Sequence, residues 1–400
     1  MNSFFYKVYA KIAGPIFKTV PYSPPEQLEN QKSLVKLFLQ QGVKNPVLIT
    51  DKVIRSLGLV DRLVKLFAEE NINLVVFDDV EADPSFKTVV KGAEFCKNHD
   101  FDGIIAVGGG SVIDAAKIIN VTASSGRKPK SFKGMFRVLK KGKLFAAIPT
   151  TAGTGSEMTV VSVITDREKQ IKETIIDPAI LPSYTLHDPE LLTGLPKRIT
   201  AETGIDALSH AFEAYMSRYC TPQTDALAEE AIALVFKNLK NAVNDGGDLS
   251  YRSAMLDASS KAGMAFTRTS VGWVHALAHQ FGGIYHLPHG RMIGLVILDI
   301  AKFYRDSQTE RLANLAKVIG VATIFEDKNK AADEFISALA TLLRDVEIPE
   351  KLEELQKEDI PEIAKRALLE TYQKPYGVPK YFKTPKDLES FIKRYLVESE

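Results

Sequence analysis

The sequence predicts an α/β domain built on a parallel sheet, followed by an all-α domain. Three observations carry that expectation. Short apolar runs alternate with helical periodicity through the first half of the 400 residues, two of those runs end in glycine-rich loops, and strand signals fade after Leu195-Pro196. The domains are drawn at 1–195 and 196–400.

Taken in order, Pro46–Thr50 reads as a buried strand, followed by a helical pattern through about Glu70. Asn73–Asp78 is a second strand and Phe86–Asn98 a second helix. Gly103–Val107 is a third strand that runs into glycines and the helix Val112–Val121. Leu144–Ile148 is a fourth. Such short, wholly apolar runs between helices suit a parallel sheet covered on both faces. Met158–Thr165 and Lys172–Ile176 flank the charged turn Asp166–Lys169 and read as a hairpin. Beyond Pro196, which can open a helix, the segments Thr203–Tyr219, Asp225–Asn241, Tyr251–Phe266 and Val271–Gly282 are helical in pattern.

Composition excludes several classes. Apolar residues make up 45% and charged residues 25%, an ordinary globular balance. Lys+Arg 51 against Asp+Glu 50 leaves +1, so no global basic field recruits nucleic acid. Cys96 and Cys220 form neither a disulfide framework nor a thiolate zinc motif, and their scarcity fits a reducing, cytoplasmic setting. No apolar run is long enough for a transmembrane segment. Residues 1–25 carry Lys7, Lys11, Lys18 and several aromatics but no acid. Phe5, Val8, Tyr9 and Ile12 can share one face of a short helix ending near Gly14-Pro15, docked on its own domain or a neighbouring subunit; contact with a membrane surface is the second reading.

Val107-Gly-Gly-Gly-Ser-Val-Ile-Asp114 sits at a strand end and opens a helix, where backbone N–H groups and the helix dipole favour an anion. Gly108-x-Gly110 fits part of the common dinucleotide fingerprint, but Ile113 stands at the third glycine position. Pro149-Thr-Thr-Ala-Gly-Thr-Gly-Ser-Glu157 follows another strand and offers hydroxyls for a polar ligand. Successive strand ends of an open parallel sheet share a ligand crevice. Asp51, just after the first strand, can accept bonds from ribose hydroxyls and repel a 2′-phosphate, favouring NAD over NADP; as a plain alternative it is a helix N-cap.

Asp206 and His210 are four apart, and His275 and His279 repeat that spacing, so each pair projects from one helix face. His289 follows Pro288. A carboxylate with several imidazoles suits Zn²⁺ or Fe²⁺, although spacing alone leaves open which of His275, His279 and His286 joins His289. A divalent ion that polarises a carbonyl, together with a nicotinamide, is the equipment for alcohol/aldehyde interconversion.

On these residues the chain resembles the iron-containing (group III) alcohol dehydrogenase family. Gly108–Asp114, Pro149–Glu157, Asp206-x-x-x-His210, His275-x-x-x-His279 and Pro288-His289-Gly290 match its signatures in order, from about residue 40 nearly to the C-terminus. The resemblance implies a dehydroquinate-synthase-like fold, with a nucleotide domain and a helical metal-binding and substrate domain either side of a cleft. It implies metal ligation by Asp206, His210, His275 and His289, with His279 beside the nicotinamide assisting proton transfer. It implies Gly109, Gly110, Ser111 and Asp114 at the pyrophosphate and ribose, Thr150, Thr151 and Thr154 along the nucleotide, and Lys172 at the nicotinamide ribose. Asp51 falls where NAD-preferring members carry an acid.

The expected protein is thus a homo-oligomeric enzyme that uses NAD and Fe²⁺ or Zn²⁺ to transfer a hydride between a primary alcohol, or its aldehyde, and the cofactor. A diol, glycerol or hydroxy-acid dehydrogenase, or a transhydrogenase, is the alternative on the same scaffold; a non-catalytic metal-binding protein is the remote one. Two departures from the family pattern stand out: residues before 40 lack the usual glycine-bearing hairpin, and Val160–Val163 is less polar than in some members.

Overall fold

The computed structural model describes residues 22–397 except 170 and 375. The helix expected through Phe5 and Ile12 lies outside the described residues. The chain forms two compact units, divided between Gly194 and Leu195.

The first unit contains strands β1 (Glu26–Leu28), β2 (Pro46–Ile49), β3 (Val75–Phe77), β4 (Gly103–Gly108), β5 (Gly134–Met135), β6 (Leu144–Pro149), β7 (Val161–Asp166), β8 (Ile171–Ile176) and β9 (Tyr184–Leu186). Its helices are α1 (Gln31–Gln40), α2 (Lys52–Ser56), α3 (Asp61–Glu69), α4 (Phe86–Asn98) and α5 (Gly110–Ser125). A six-stranded parallel sheet runs β1-β9-β6-β4-β2-β3. Central β4 is buried along its whole length because it pairs on both sides, with Ile104 opposite Val47 and Phe145. Ile104, Ala106, Ile113, Ile119 and Phe145 belong to one apolar cluster that holds α4 and α5 to the sheet. Each of the isoleucines and the phenylalanine contributes about 1.5–3 kcal/mol by its burial.

The hairpin forms as β7 and β8, antiparallel with Val161 opposite Ile176, and β5 extends it into a second sheet. It starts three residues later than expected, since Ser156–Met158 is a 3₁₀ turn. Helix α5 is longer at both ends than its apolar pattern: Gly109 enters it in extended backbone, and Gly126 at φ +71° ends it in the left-handed region. Strands β1 and β9 were not expected, because three residues are too few to show alternation.

The second unit is helical, with no strand longer than an isolated bridge among its described residues. Its helices are α6 (Lys197–Met216), α7 (Pro222–Asn244), α8 (Leu249–Thr269), α9 (Trp273–Tyr285), α10 (His289–Tyr304), α11 (Thr309–Val318), α12 (Lys328–Asp345), α13 (Ile360–Gln373) and α14 (Pro385–Ile392). Pro222 occupies the first turn of α7 behind a Thr221 capping box. Helix α6 has no solvent stripe: from Thr200 to Met216 every residue but Thr203 is buried. A helix apolar all round is a core helix, so any polar side chain on it is held away from water. Among the described residues, no helix is long and apolar enough to cross a membrane.

Candidate metal centre and dinucleotide loops

In the first unit, the β4–α5 and β6–β7 connections meet. The Thr150 N–H donates to the Gly108 carbonyl at 3.1 Å. A Cβ on Gly110 would stand 2.6 Å from Thr154 Cγ2, and one on Gly109 would stand 3.3 Å from Thr151 Oγ1. Glycine is therefore required at 110 for the loops to close, and no side chain caps the start of α5 there. An uncapped helix start beside a glycine loop is suited to a phosphate. Ser111, Thr151 and Thr154 are partly exposed beside it, whereas Thr150 is buried.

Asp114 turns inward. Its oxygens accept the Ser156 hydroxyl at 2.5 Å and the Val163 N–H at 2.8 Å, so it braces the loops. The sequence reading missed its partner, Lys117. This lysine is wholly buried and donates to Ser156 Oγ at 2.9 Å, Thr159 Oγ1 at 3.0 Å and the Val161 carbonyl at 2.5 Å. Burial pushes its ammonium below the ordinary value, with Asp114 pulling the other way. The signal was one cation inside the otherwise apolar stretch Ala115–Ile119. Asp51 is the N-cap of α2, with Oδ1 accepting the Ile54 N–H at 2.8 Å. Lys172 is half-exposed and paired with Asp83.

In the second unit, α6 carries Asp206 and His210 and α9 carries His275; their donor atoms lie within 4.8 Å of one another, all buried. Asp206 Oδ1 is 3.7 Å from His210 Nδ1, 3.8 Å from His275 Nε2 and 3.7 Å from His289 Nε2. His275 Nε2 is 3.0 Å from His210 Nε2. Donors held tetrahedrally at about 2.1 Å from one ion sit roughly 3.4 Å apart; the separations here run from 3.0 to 3.8 Å, with His210 turning Nδ1 toward Asp206 and Nε2 toward His275. Asp206 Oδ1 is also a buried oxygen with no hydrogen-bond partner. Burial pushes the Asp206 carboxyl up to about 7 and the His275 imidazolium well below its usual range. A divalent ion removes that conflict by stabilising the carboxylate and accepting the neutral imidazoles. The residues present therefore fit a metal. His289, at the start of α10, is the most exposed of the four.

Glu213, three residues beyond His210 on the same face, was also missed. Its Oε2 accepts from His275 Nδ1 at 2.7 Å and from the Gly272 N–H at 2.8 Å, and its Oε1 accepts the Val274 N–H at 2.6 Å. It caps α9, which has no side-chain cap of its own, and leaves His275 Nε2 as a lone pair. Burial raises its carboxyl to about 7 against the pull of those N–H groups. The pattern Asp-x-x-x-His-x-x-Glu was the available signal.

His279 is not among the close donors. Its Nδ1 lies 2.8 Å from Glu370 Oε1, which also accepts from Lys374 at 2.8 Å and Tyr376 at 2.7 Å, while Gln280 holds Oε2 at 2.7 Å. Burial acts to raise the Glu370 carboxyl, but His279 and Lys374 more than offset it and hold it well below the usual range. Phe266 stacks on His210 with ring centroids 4.2 Å apart.

The chain is similar to known proteins along most of its length. Residues 26–189 match the family model for iron-containing alcohol dehydrogenase, and residues 200–391 match the model for the C-terminal part of that family. The chain is 36% identical to the NAD-dependent methanol dehydrogenase of Bacillus methanolicus, covering 82% of this chain and 87% of that protein. It is 38% identical to the 1,3-propanediol dehydrogenase of Citrobacter freundii, covering 82% and 86%. A crystal structure of a 1,3-propanediol oxidoreductase superposes with a TM-score of 0.89 at 33% identity, over 94% of this chain and 99% of that one.

Proposed function

Because the chain belongs to the iron-containing alcohol dehydrogenase family, we propose that it oxidises a primary alcohol, or reduces the matching aldehyde, with NAD and a bound Fe²⁺ or Zn²⁺. The observation that carries this reading is the convergence of His210, His275 and His289 on the unpartnered Oδ1 of Asp206. Asp206, His210, His275 and His289 would hold the ion. Gly109, Gly110 and Ser111 would receive the pyrophosphate, with Thr151 and Thr154 beside it, and the free oxygen of Asp51 would take a ribose hydroxyl. Lys172 would reach the nicotinamide ribose by leaving Asp83.

When bound, the ion supplies a Lewis acid to the alcohol oxygen and the nicotinamide a two-electron acceptor. The chain's own residues do the rest. Glu213 fixes His275 with Nε2 outward. Glu370 accepts a hydrogen bond from the Nδ1–H of His279, so that Nε2 is the atom able to receive the alcohol proton. Phe266 covers one face of His210 and keeps water from it.

The test is an anaerobic assay of protein loaded with Fe²⁺ or Zn²⁺, using NAD and a panel of primary alcohols. Cofactor reduction by at least one member is expected; none with any member would reject the reading. A short diol is the second reading, favoured by the matched propanediol dehydrogenase, and initial rates across the panel separate the two. A cytoplasmic homo-oligomer belongs to the same reading and is checked by cell fractionation and light scattering.

A further inference from the structure

The balanced total charge conceals a local excess. Residues 127–143 carry eight Lys and Arg and no Asp or Glu. Lys130 and Lys133 are committed to Asp166, Glu168 and Glu173. Lys128, Arg137, Lys140, Lys141 and Lys143 are exposed, and none forms an ion pair with another described residue. A chain of net charge +1 thus presents one concentrated positive surface in its first unit.

Two large apolar side chains stand among those cations. Leu139 is 84% exposed and Phe136 41%. The backbone is strained to put them there. Leu139 has φ +68° and Phe136 φ +56°, a region that β-carbon-bearing residues rarely enter. The Lys140 N–H closes a three-residue turn onto the Val138 carbonyl at 2.8 Å, with Leu139 at its apex in the costlier hand of that turn. The base of the turn is anchored. Val138 is buried and its N–H donates to Asp177 Oδ2 at 2.9 Å, while Arg127 donates to the Arg137 carbonyl at 2.8 Å and lies over the Phe132 ring. A fixed base that drives a leucine outward through strained backbone is an arrangement that needs an apolar environment to become favourable.

We propose that the 136–143 turn docks the protein on an anionic lipid bilayer. Leu139 and Phe136 enter the boundary between headgroups and acyl chains, and Arg137, Lys140, Lys141 and Lys143 pair with acidic headgroups. Cations that attract an anionic leaflet, combined with apolar side chains that insert, form the two-signal pattern of reversible membrane attachment. A nucleic acid would use the same cations but would gain nothing from Leu139, which has no ring to stack. The acid-free, basic and aromatic residues 1–25 have matching composition and supply a second candidate contact with the same surface.

Sedimentation of the full chain with phosphatidylcholine vesicles, with and without phosphatidylserine, tests this. Retention on the anionic vesicles at low salt, lost at high salt and absent on the neutral ones, is expected. K140E/K141E should weaken retention at least about ten-fold, with alcohol turnover in solution unchanged. Leu139→Gly separates function from structure: it relieves the strained φ, so thermal stability should hold or rise while retention falls several-fold. Equal retention on neutral and anionic vesicles overturns the proposal. So does retention unchanged by K140E/K141E but abolished by deleting residues 2–20. Binding of RNA or heparin that matches vesicle binding and ignores Leu139→Gly identifies a general polyanion surface and also overturns it.

Discussion

Glu213 Oε2 and His275 Nδ1 are 2.7 Å apart, and the same carboxylate receives two backbone N–H groups at the start of α9. One side chain therefore sets both the tautomer of a candidate ligand and the position of the helix that carries it. Glu213→Gln should weaken metal retention by about 10–100-fold, measured by competition with a chelator, while the fold persists. Gly272→Ala applies the same stress sterically, because its Cβ would lie 2.9 Å from Glu213 Oε1. Unchanged affinity in both variants would remove Glu213 from the metal centre.

The histidines divide by partner. His275 faces Asp206 and His210, whereas His279 faces Glu370. His275→Ala should release the ion and His279→Ala should keep it while turnover falls about 10²-fold or more. Metal content and steady-state rate, taken on the same preparations, decide. Equal metal loss in both variants contradicts the division.

Asp51 spends one oxygen capping α2. Asp51→Gly costs only a few tenths of a kcal/mol as a cap, so the protein should fold and its NAD:NADP preference should drop. The ratio of kcat/KM for the two cofactors is the measurement, and an unaltered ratio takes Asp51 out of the cofactor site.

Lys117 ties α5 to both the Ser156 turn and β7. Lys117→Met leaves buried acceptors unpaired at about 1–3 kcal/mol each, so the melting temperature should fall. The looser loops should raise KM for NAD more than they lower kcat. A drop in kcat alone would argue against a bracing role.

Cys96 is buried, and burial pushes its thiol up to about 12 from an ordinary value near 9. The folded protein then holds a proton that the unfolded chain releases. Stability from this group is complete below pH 9 and declines as pH rises toward 12, by at most about 1.4 kcal/mol per pH unit. Urea unfolding between pH 8 and 10.5 should show a shallower alkaline loss in Cys96→Ala than in the parent, whatever the variant's baseline.

The elements most legible in the sequence are those whose pattern is long or one-sided. Gly103–Val107 announces itself as a two-faced strand, and the paired spacing of Asp206/His210 and His275/His279 marks the faces that meet. Glu213 was hidden because a glutamate on a helix is ordinarily a solvated residue, and only the burial of α6 on every side gives it another meaning. Glu370 and Tyr376 lie more than 90 residues from His279, a pairing that no local periodicity carries. Asp114 and Lys172 drew on family resemblance, and the first is engaged inside the fold while the second is paired with Asp83. The short edge strands β1 and β9 are set by tertiary pairing and have no sequence signature of their own.

Asp206 and the three histidines around it come from residues 206–289, in one compact unit, and both glycine loops come from the other. Substitutions in the proposed metal set and in the proposed nucleotide loops thus fall in separate stretches of the gene. A laboratory chimera joined at the 194/195 seam would therefore take its glycine loops from one parent and its Asp206 cluster from the other.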